Sequence, residues 1–142
     1  MAWNEAIRNI TLEADSSIGV YTGVPQLPGS ASPNGGKQYY FVKVTGERTA
    51  GLANATTTRH KVLGVLQDKP QAVGASAPVA IRGVSLVTTG TGGLAAGDAV
   101  KVDANGKGVT ATVGSDADNL IVGVCLAAAA AGGLASVLLK LN

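Results

Sequence analysis

The sequence predicts an all-β fold, either a sandwich or a small barrel. Three observations carry this. Short strand-like runs recur at close spacing from Gln38 onward, separated by Gly-rich turns. No stretch between those runs is long enough for the crossover helix that parallel βαβ units require. The apolar residues are those that pack on a pleated surface: 23 Ala and 17 Val with 20 Gly, against one Phe, one Trp and one Met.

The elements follow in order. Residues 1–37 stand apart. Trp3, Ala6, Ile7, Ile10 and Leu12 fit either a short amphipathic helix or an extended arm, because neither period is sustained. The stretch from Gly23 to Gly36 is dense in Pro, Gly and Ser, which is loop chemistry: Pro removes backbone donors and Gly raises the entropy of ordering. The expected organisation is therefore an N-terminal arm and Pro/Gly-rich loop over 1–37 and a β-domain over 38–142. Within that domain, Tyr39–Val44 is rich in aromatic and β-branched residues and reads as a strand. Lys61–Leu66, Pro78–Arg82 and Val84–Thr89 follow, with Gly83 as a bulge or kink. Ala99–Val102 alternates in period two and reaches Asn105-Gly106, a hairpin signal that returns the chain through Val109–Val113. Leu120–Leu126 and Ala135–Leu141 form the last pair. Ala127–Ala131 has high helix propensity but is cut off by Gly132-Gly133, so it reads as a turn. A faint internal echo relates Leu63–Leu66 and Val79–Ile81 to Val122–Cys125 and Val137–Leu139, about 59 residues on, and fits a pseudo-symmetric barrel.

Composition bounds the function. With 142 residues the chain holds one ordinary domain and needs no staple to fold. Cys125 and His60 are the only residues of their types, which excludes an internal disulfide and a Cys/His zinc cluster. Charged residues are 14 % and the net charge is +2, too little for a polyanion-binding stripe, and the basic residues lack stacking aromatics. The start, from Met1 to Asp15, lacks the apolar core of a secretory signal. The longest apolar run, Leu120–Ala131, is too short for a membrane-crossing helix. The expectation is a cytoplasmic product without nucleic-acid or membrane partners.

No residue pattern points to catalysis. His60 leads into a strand between Arg59 and Lys61 and reads as a surface residue. Cys125 lies in an apolar strand with no adjacent base and reads as a small buried hydrophobe. Asp116 and Asp118 read as a solvated turn, since the rest of a calcium loop is missing. Gly90-Thr91-Gly92-Gly93 lacks the Lys-Ser/Thr of a phosphate loop. No catalytic residue, cofactor, metal or small-molecule substrate is expected.

From Lys61 to the C-terminus the chain resembles the bacteriophage capsid decoration proteins, also called head-stabilising or cement proteins. The resemblance rests on the order of five pieces: Val62–Asp68, Val79–Gly83, Leu94–Val102 with Asn105-Gly106, Val122–Val124 and Ala127–Leu139. It implies a small β-barrel or β-tulip, commonly a homotrimer, on three-fold or quasi-three-fold positions of the head exterior. Such a protein binds major capsid protein after expansion and clamps neighbouring subunits. On that reading Trp3, Ile7, Ile10 and Leu12 anchor the arm to the capsid. The bland alternative has the same four residues covering the domain's own core. Another virion β module, such as a tail, fibre or glycan-binding domain, is the runner-up function; it calls for loop aromatics, and this chain has few.

Overall fold

The structure, a computed structural model, describes residues 8–19 and 37–141. The first five strands are β1 (Arg8–Ala14), β2 (Phe41–Gly46), β3 (Thr49–Leu52), β4 (Val62–Leu66) and β5 (Ser76–Arg82). They close into a barrel in the order β1-β3-β2-β4-β5. Strand β1 runs antiparallel to β5 and parallel to β3, so it is the stave that shuts the cylinder. The second five are β6 (Val84–Thr88), β7 (Ala99–Val102), β8 (Gly108–Thr110), β9 (Gly123–Ala127) and β10 (Leu134–Leu139). Their order is β6-β10-β9-β7-β8, and a parallel bridge between Thr89 and Gly108 draws the two end strands together. The all-β barrel expectation holds. Gly83 joins the two groups at φ +93°, a conformation that favours glycine. The alanine run leaves β9 as a turn, with Ala129 bridged to Leu94.

Two strands were not legible. Arg8–Ala14, grouped with the arm on sequence, is barrel wall: Ile10, Leu12 and Ala14 share one face, and Asn9, Thr11 and Glu13 the other. Only three apolar residues mark its alternation. Strand β3 reads Thr-Ala-Gly-Leu and carries no β-branched run. Gly51 is needed there because a Cβ would collide with the Asp15 carboxylate.

The echo extends to all ten described strands. The pairs Val42–Leu52, Lys43–Gly51 and Val44–Ala50 between β2 and β3 recur, at one constant offset, as Val100–Thr110, Lys101–Val109 and Val102–Gly108 between β7 and β8. The pairs Val65–Ala80 and Leu66–Val79 between β4 and β5 recur as Val124–Leu138 and Cys125–Val137 between β9 and β10. The pairs Glu13–Ser76, Leu12–Ala77 and Ile10–Val79 between β1 and β5 recur as Thr88–Leu134, Val87–Ala135 and Ser85–Val137 between β6 and β10. The closing contact Ala14–Ala50 becomes Thr89–Gly108. The chain is therefore two copies of one five-stranded unit, lobe 1 (β1–β5) and lobe 2 (β6–β10). The step from β1 to β6 is longer than the step from β2 to β7, so lobe 1 carries an insertion between its first two strands. The hydrogen bonds Ile18 to Asp15 and Tyr40 to Lys37 match Gly93 to Gly90 and Asp98 to Ala95. The extra residues thus fall between Ile18 and Lys37, where the Pro/Gly-rich stretch lies. Among the described residues, Tyr39 (φ +66°) and Arg48 (φ +55°) are the two non-glycines with positive φ, and they occupy the positions of Gly97 (φ +90°) and Gly106 (φ +80°) in lobe 2.

The lobes pack head to tail. Lobe 1 fills its interior with Ala14, Ile18, Val42, Ala50, Leu66, Ala77 and Val79. Lobe 2's interior, including Val87, Val100, Val102, Cys125, Val137 and Leu139, forms one cluster with outward-facing residues of lobe 1: Phe41, Val62, Val65 and Ala80. At the joint the seam of lobe 2 is wedged open. In lobe 1, the Glu13 N–H donates to the Arg48 carbonyl across β1 and β3 (2.8 Å). In lobe 2 the equivalent Thr88 N–H instead donates to the Tyr39 carbonyl, and the Phe41 N–H donates to the Gly106 carbonyl, each at 2.8 Å. The segment Tyr39–Phe41 completes the wall, and Phe41 is wholly buried.

Candidate interaction surface

The groups able to do chemistry are dispersed. His60 and Lys61 are exposed on the loop leading into β4. Cys125 is buried in β9, donates to the Ala127 carbonyl at 3.3 Å, and has its thiol pushed up by burial. Such a thiol is a packing residue, not a nucleophile. Among the described residues no group of three His, Cys, Asp or Glu side chains is placed to hold a metal. Gly90, from the glycine-rich motif, is backed by the Asp103 carboxylate, whose oxygen would lie 2.6 Å from a Cβ there. A negative charge at that distance is the opposite of an anion cradle.

The carboxylates staple turns. Asp15 is drawn up by partial burial, but hydrogen bonds from Ser17 (Oγ, 2.5 Å; N–H, 2.7 Å) and Thr45 (Oγ1, 2.8 Å) outweigh this and hold it below the ordinary carboxylate value. Asp98 is lowered by the Ala95 N–H (2.9 Å) and the Thr110 hydroxyl (2.9 Å). Asp116 is lowered by Lys101 Nζ at 2.7 Å and by the Thr112 N–H at 2.7 Å. The sequence predicts a solvated turn at Asp116; its ion pair is not legible there, because Lys101 lies upstream on β7, in a different element.

The site residues named from sequence fall in two groups. Trp3 and Ile7 lie outside the described residues. Ile10 and Leu12 lie in β1, with Leu12 packed on the lobe 1 core and Ile10 at its rim. Ile10, Val44, Val62, Leu63 and Ile81, with Leu141, His60 and Lys61, line a shallow mouth of about 300 Å³. Ile10 is 38 % exposed and Val44 55 %. At the same place in lobe 2, Ser85 is 2 % exposed and Val102 4 %, because lobe 1 sits over them. The mouth of lobe 1 is thus exposed where its internal twin is covered. Sequence could not mark Val44 or Ile81, which look like any other strand residue.

A mouth of this kind, aliphatic at its centre and edged by His60 and Lys61, suits adhesion. The comparisons agree. The family described as phage cement protein matches residues 34–141, from just before β2 to beyond β10. No curated protein matches the chain. In fold, the chain is similar to the crystal structure of the head fiber gp8.5 N base of bacteriophage phi29. The TM-score is 0.62 at 14 % identity, across 96 % of this chain and 97 % of that one. With the family match spanning every described strand except β1, the chain belongs to the phage cement proteins and is a structural protein of the phage virion, associated with the capsid.

Proposed function

We propose that the chain is a cement protein of the head exterior. It seats on the expanded shell after synthesis in the bacterial cytoplasm and bridges neighbouring major capsid protein subunits as a homotrimer at three-fold or quasi-three-fold positions. The family match over residues 34–141 carries the reading. The physical character of the surface supports it: many small apolar contacts, repeated over a shell, add avidity without a strong single site. Residues 1–7, ahead of β1, are the arm of this proposal. Trp3 and Ile7 are its capsid anchors, with Trp3 favoured because aromatic residues dominate interface energetics. Main-chain pairing of such an arm to a capsid sheet edge needs no special side chains. No catalytic role is part of the proposal.

Co-sedimentation tests it. Purified protein is mixed with expanded heads lacking it, with unexpanded shells and with immobilised glycans. Saturable binding to expanded heads, weakened when residues 2–7 are deleted, is the expected outcome. Binding to glycans and not to heads overturns the proposal in favour of a glycan-binding module. Undiminished head binding by the deletion variant removes the arm and leaves the rest.

A further inference from the structure

The joint between the lobes has two faces, and each chain leaves one of each unused. The donor face is the outward surface of β2, β4 and β5 in lobe 1: Phe41, Val65 and Ala80, buried under lobe 2, with Val62 at its edge, where it also lines the lobe 1 mouth. Its twin on lobe 2 is Ala99, Ile121, Val124 and Leu138, an apolar strip left half-buried. The acceptor face is the mouth of lobe 2, covered by the joint. Its twin is the mouth of lobe 1, with Ile10 and Val44 exposed.

We propose that the lobe 2 strip of one chain (Ala99, Ile121, Val124, Leu138) docks on the lobe 1 mouth of a second copy (Ile10, Val44, Leu63, Ile81), repeating the internal joint between chains. Three observations choose this occupant. The first is the register: the two faces are the strand-for-strand equivalents of the two halves of a joint the molecule already makes. The second is volume. At the internal joint the large Phe41 lies beside an opened seam, in a lobe whose mouth carries the small Ser85; between chains the small Ala99 would lie beside a closed seam, at a mouth that carries the larger Ile10. Large accompanies small in each case, as close packing requires. The third is charge. In the internal joint the Arg59 N–H of lobe 1 donates to the Asn119 carbonyl of lobe 2, bringing the two equivalent loops together. Between chains the donor loop carries Asp118, beside an Asp116 already paired with Lys101, and the acceptor loop carries Arg59, His60 and Lys61. Opposite charges meet at that rim.

A contact between two different patches is heterologous. It closes into a ring when the rotation per copy divides a full turn. The inference deepens the proposed trimer by supplying its contact, but it does not depend on capsid binding.

Single-cysteine variants test it, with buried Cys125 retained. Val44→Cys and Leu138→Cys chains are coexpressed and treated with a short bis-maleimide. A product of twice 14.0 kDa is expected from the mixture and from neither variant alone. The Val44→Cys/Leu138→Cys double variant is expected to end its ladder at the native oligomer. Val44→Asp, at an exposed position, should retain the β circular-dichroism spectrum and sediment as a single 14.0 kDa chain. Asp118→Lys should weaken assembly at least tenfold, and adding Lys61→Asp should restore it. Cross-linking of Val44→Cys with itself, a wild-type mass of one chain at every concentration, or an unchanged oligomer in Val44→Asp each overturns the contact. If Val44→Asp loses head binding but keeps its oligomer, the mouth faces the capsid instead. Loss of all head binding by wild type fails the proposed function and leaves this contact standing.

Discussion

Replacing Phe41 with Ala isolates the joint between the lobes. Phe41 is wholly buried, belongs to the lobe 2 core cluster, and follows the residue pair that fills the lobe 2 seam. Truncation removes a ring that lobe 2 cannot replace, because beyond the Thr89–Gly108 bridge the backbone of Tyr39–Phe41 stands between β6 and the turn that enters β8. A buried Phe→Ala change costs about 3–5 kcal/mol, and poor collapse places this site near the middle of that range, at about 4 kcal/mol. For a chain of this size each kcal/mol lowers Tm by about 4 °C, so the midpoint should fall by about 16 °C. Total stability is typically about 5–15 kcal/mol, so Phe41→Leu, with a loss of about 1 kcal/mol, is the milder companion. Urea unfolding followed by far-ultraviolet circular dichroism gives the energies. Hydrogen exchange then locates the damage, and amides of β6 and β7 should lose protection before those of β3. A loss below about 1 kcal/mol, or deprotection confined to lobe 1, would refute the plug.

Other expectations follow from single positions. Gly64→Ala and Gly123→Ala drive a Cβ into the facing carbonyl oxygens of Ala80 and Leu138. Each should cost about 2–3 kcal/mol in chemical denaturation, since backbone must shift; a neutral result at both would sink the shared strand geometry. Arg48→Gly puts glycine where lobe 2 already has Gly106, relieving a positive φ, and should raise stability by about 0.5–1 kcal/mol. Asp15, Asp98 and Asp116 are all held below the ordinary carboxylate value in the fold. The unfolded chain therefore takes up protons first, so this stability is complete above about pH 4 and drains away as pH falls further. A Tm that stays level from about pH 6 to about pH 2 would contradict those hydrogen bonds.

The strands with ordinary strand chemistry are legible in sequence. Ala99–Val102 has the bounds its alternation implies, and Asn105-Gly106 marks its hairpin. The same signals in lobe 1 are muted: the equivalent turn reads Glu47-Arg48, and β3 is a strand only because Gly51 yields to Asp15. Strand β1 is obscured for another reason. Its partners are β5 and β3, far ahead in the chain, and no local pattern records a closure made at that distance. The internal echo is visible where both copies keep Gly-Val within a strand, Gly64-Val65 in β4 and Gly123-Val124 in β9. It fades where Phe41 stands for Ala99, Ile10 for Ser85 and Tyr39 for Gly97. Those departures are the joint itself, where the two copies took different neighbours. The exposed mouth is invisible in sequence, because Val44 and Val102 are the same residue type and differ only in what lies above them.

Adhesion to the head is tested most directly by challenging DNA-filled heads with and without the protein. Heads stripped of it and heads restored with it are warmed in parallel, and DNA release is followed by nuclease-accessible dye. Restored heads should hold their DNA to a higher temperature, in proportion to bound copies until the shell is saturated. Identical release curves with the protein fully bound would contradict reinforcement of the shell.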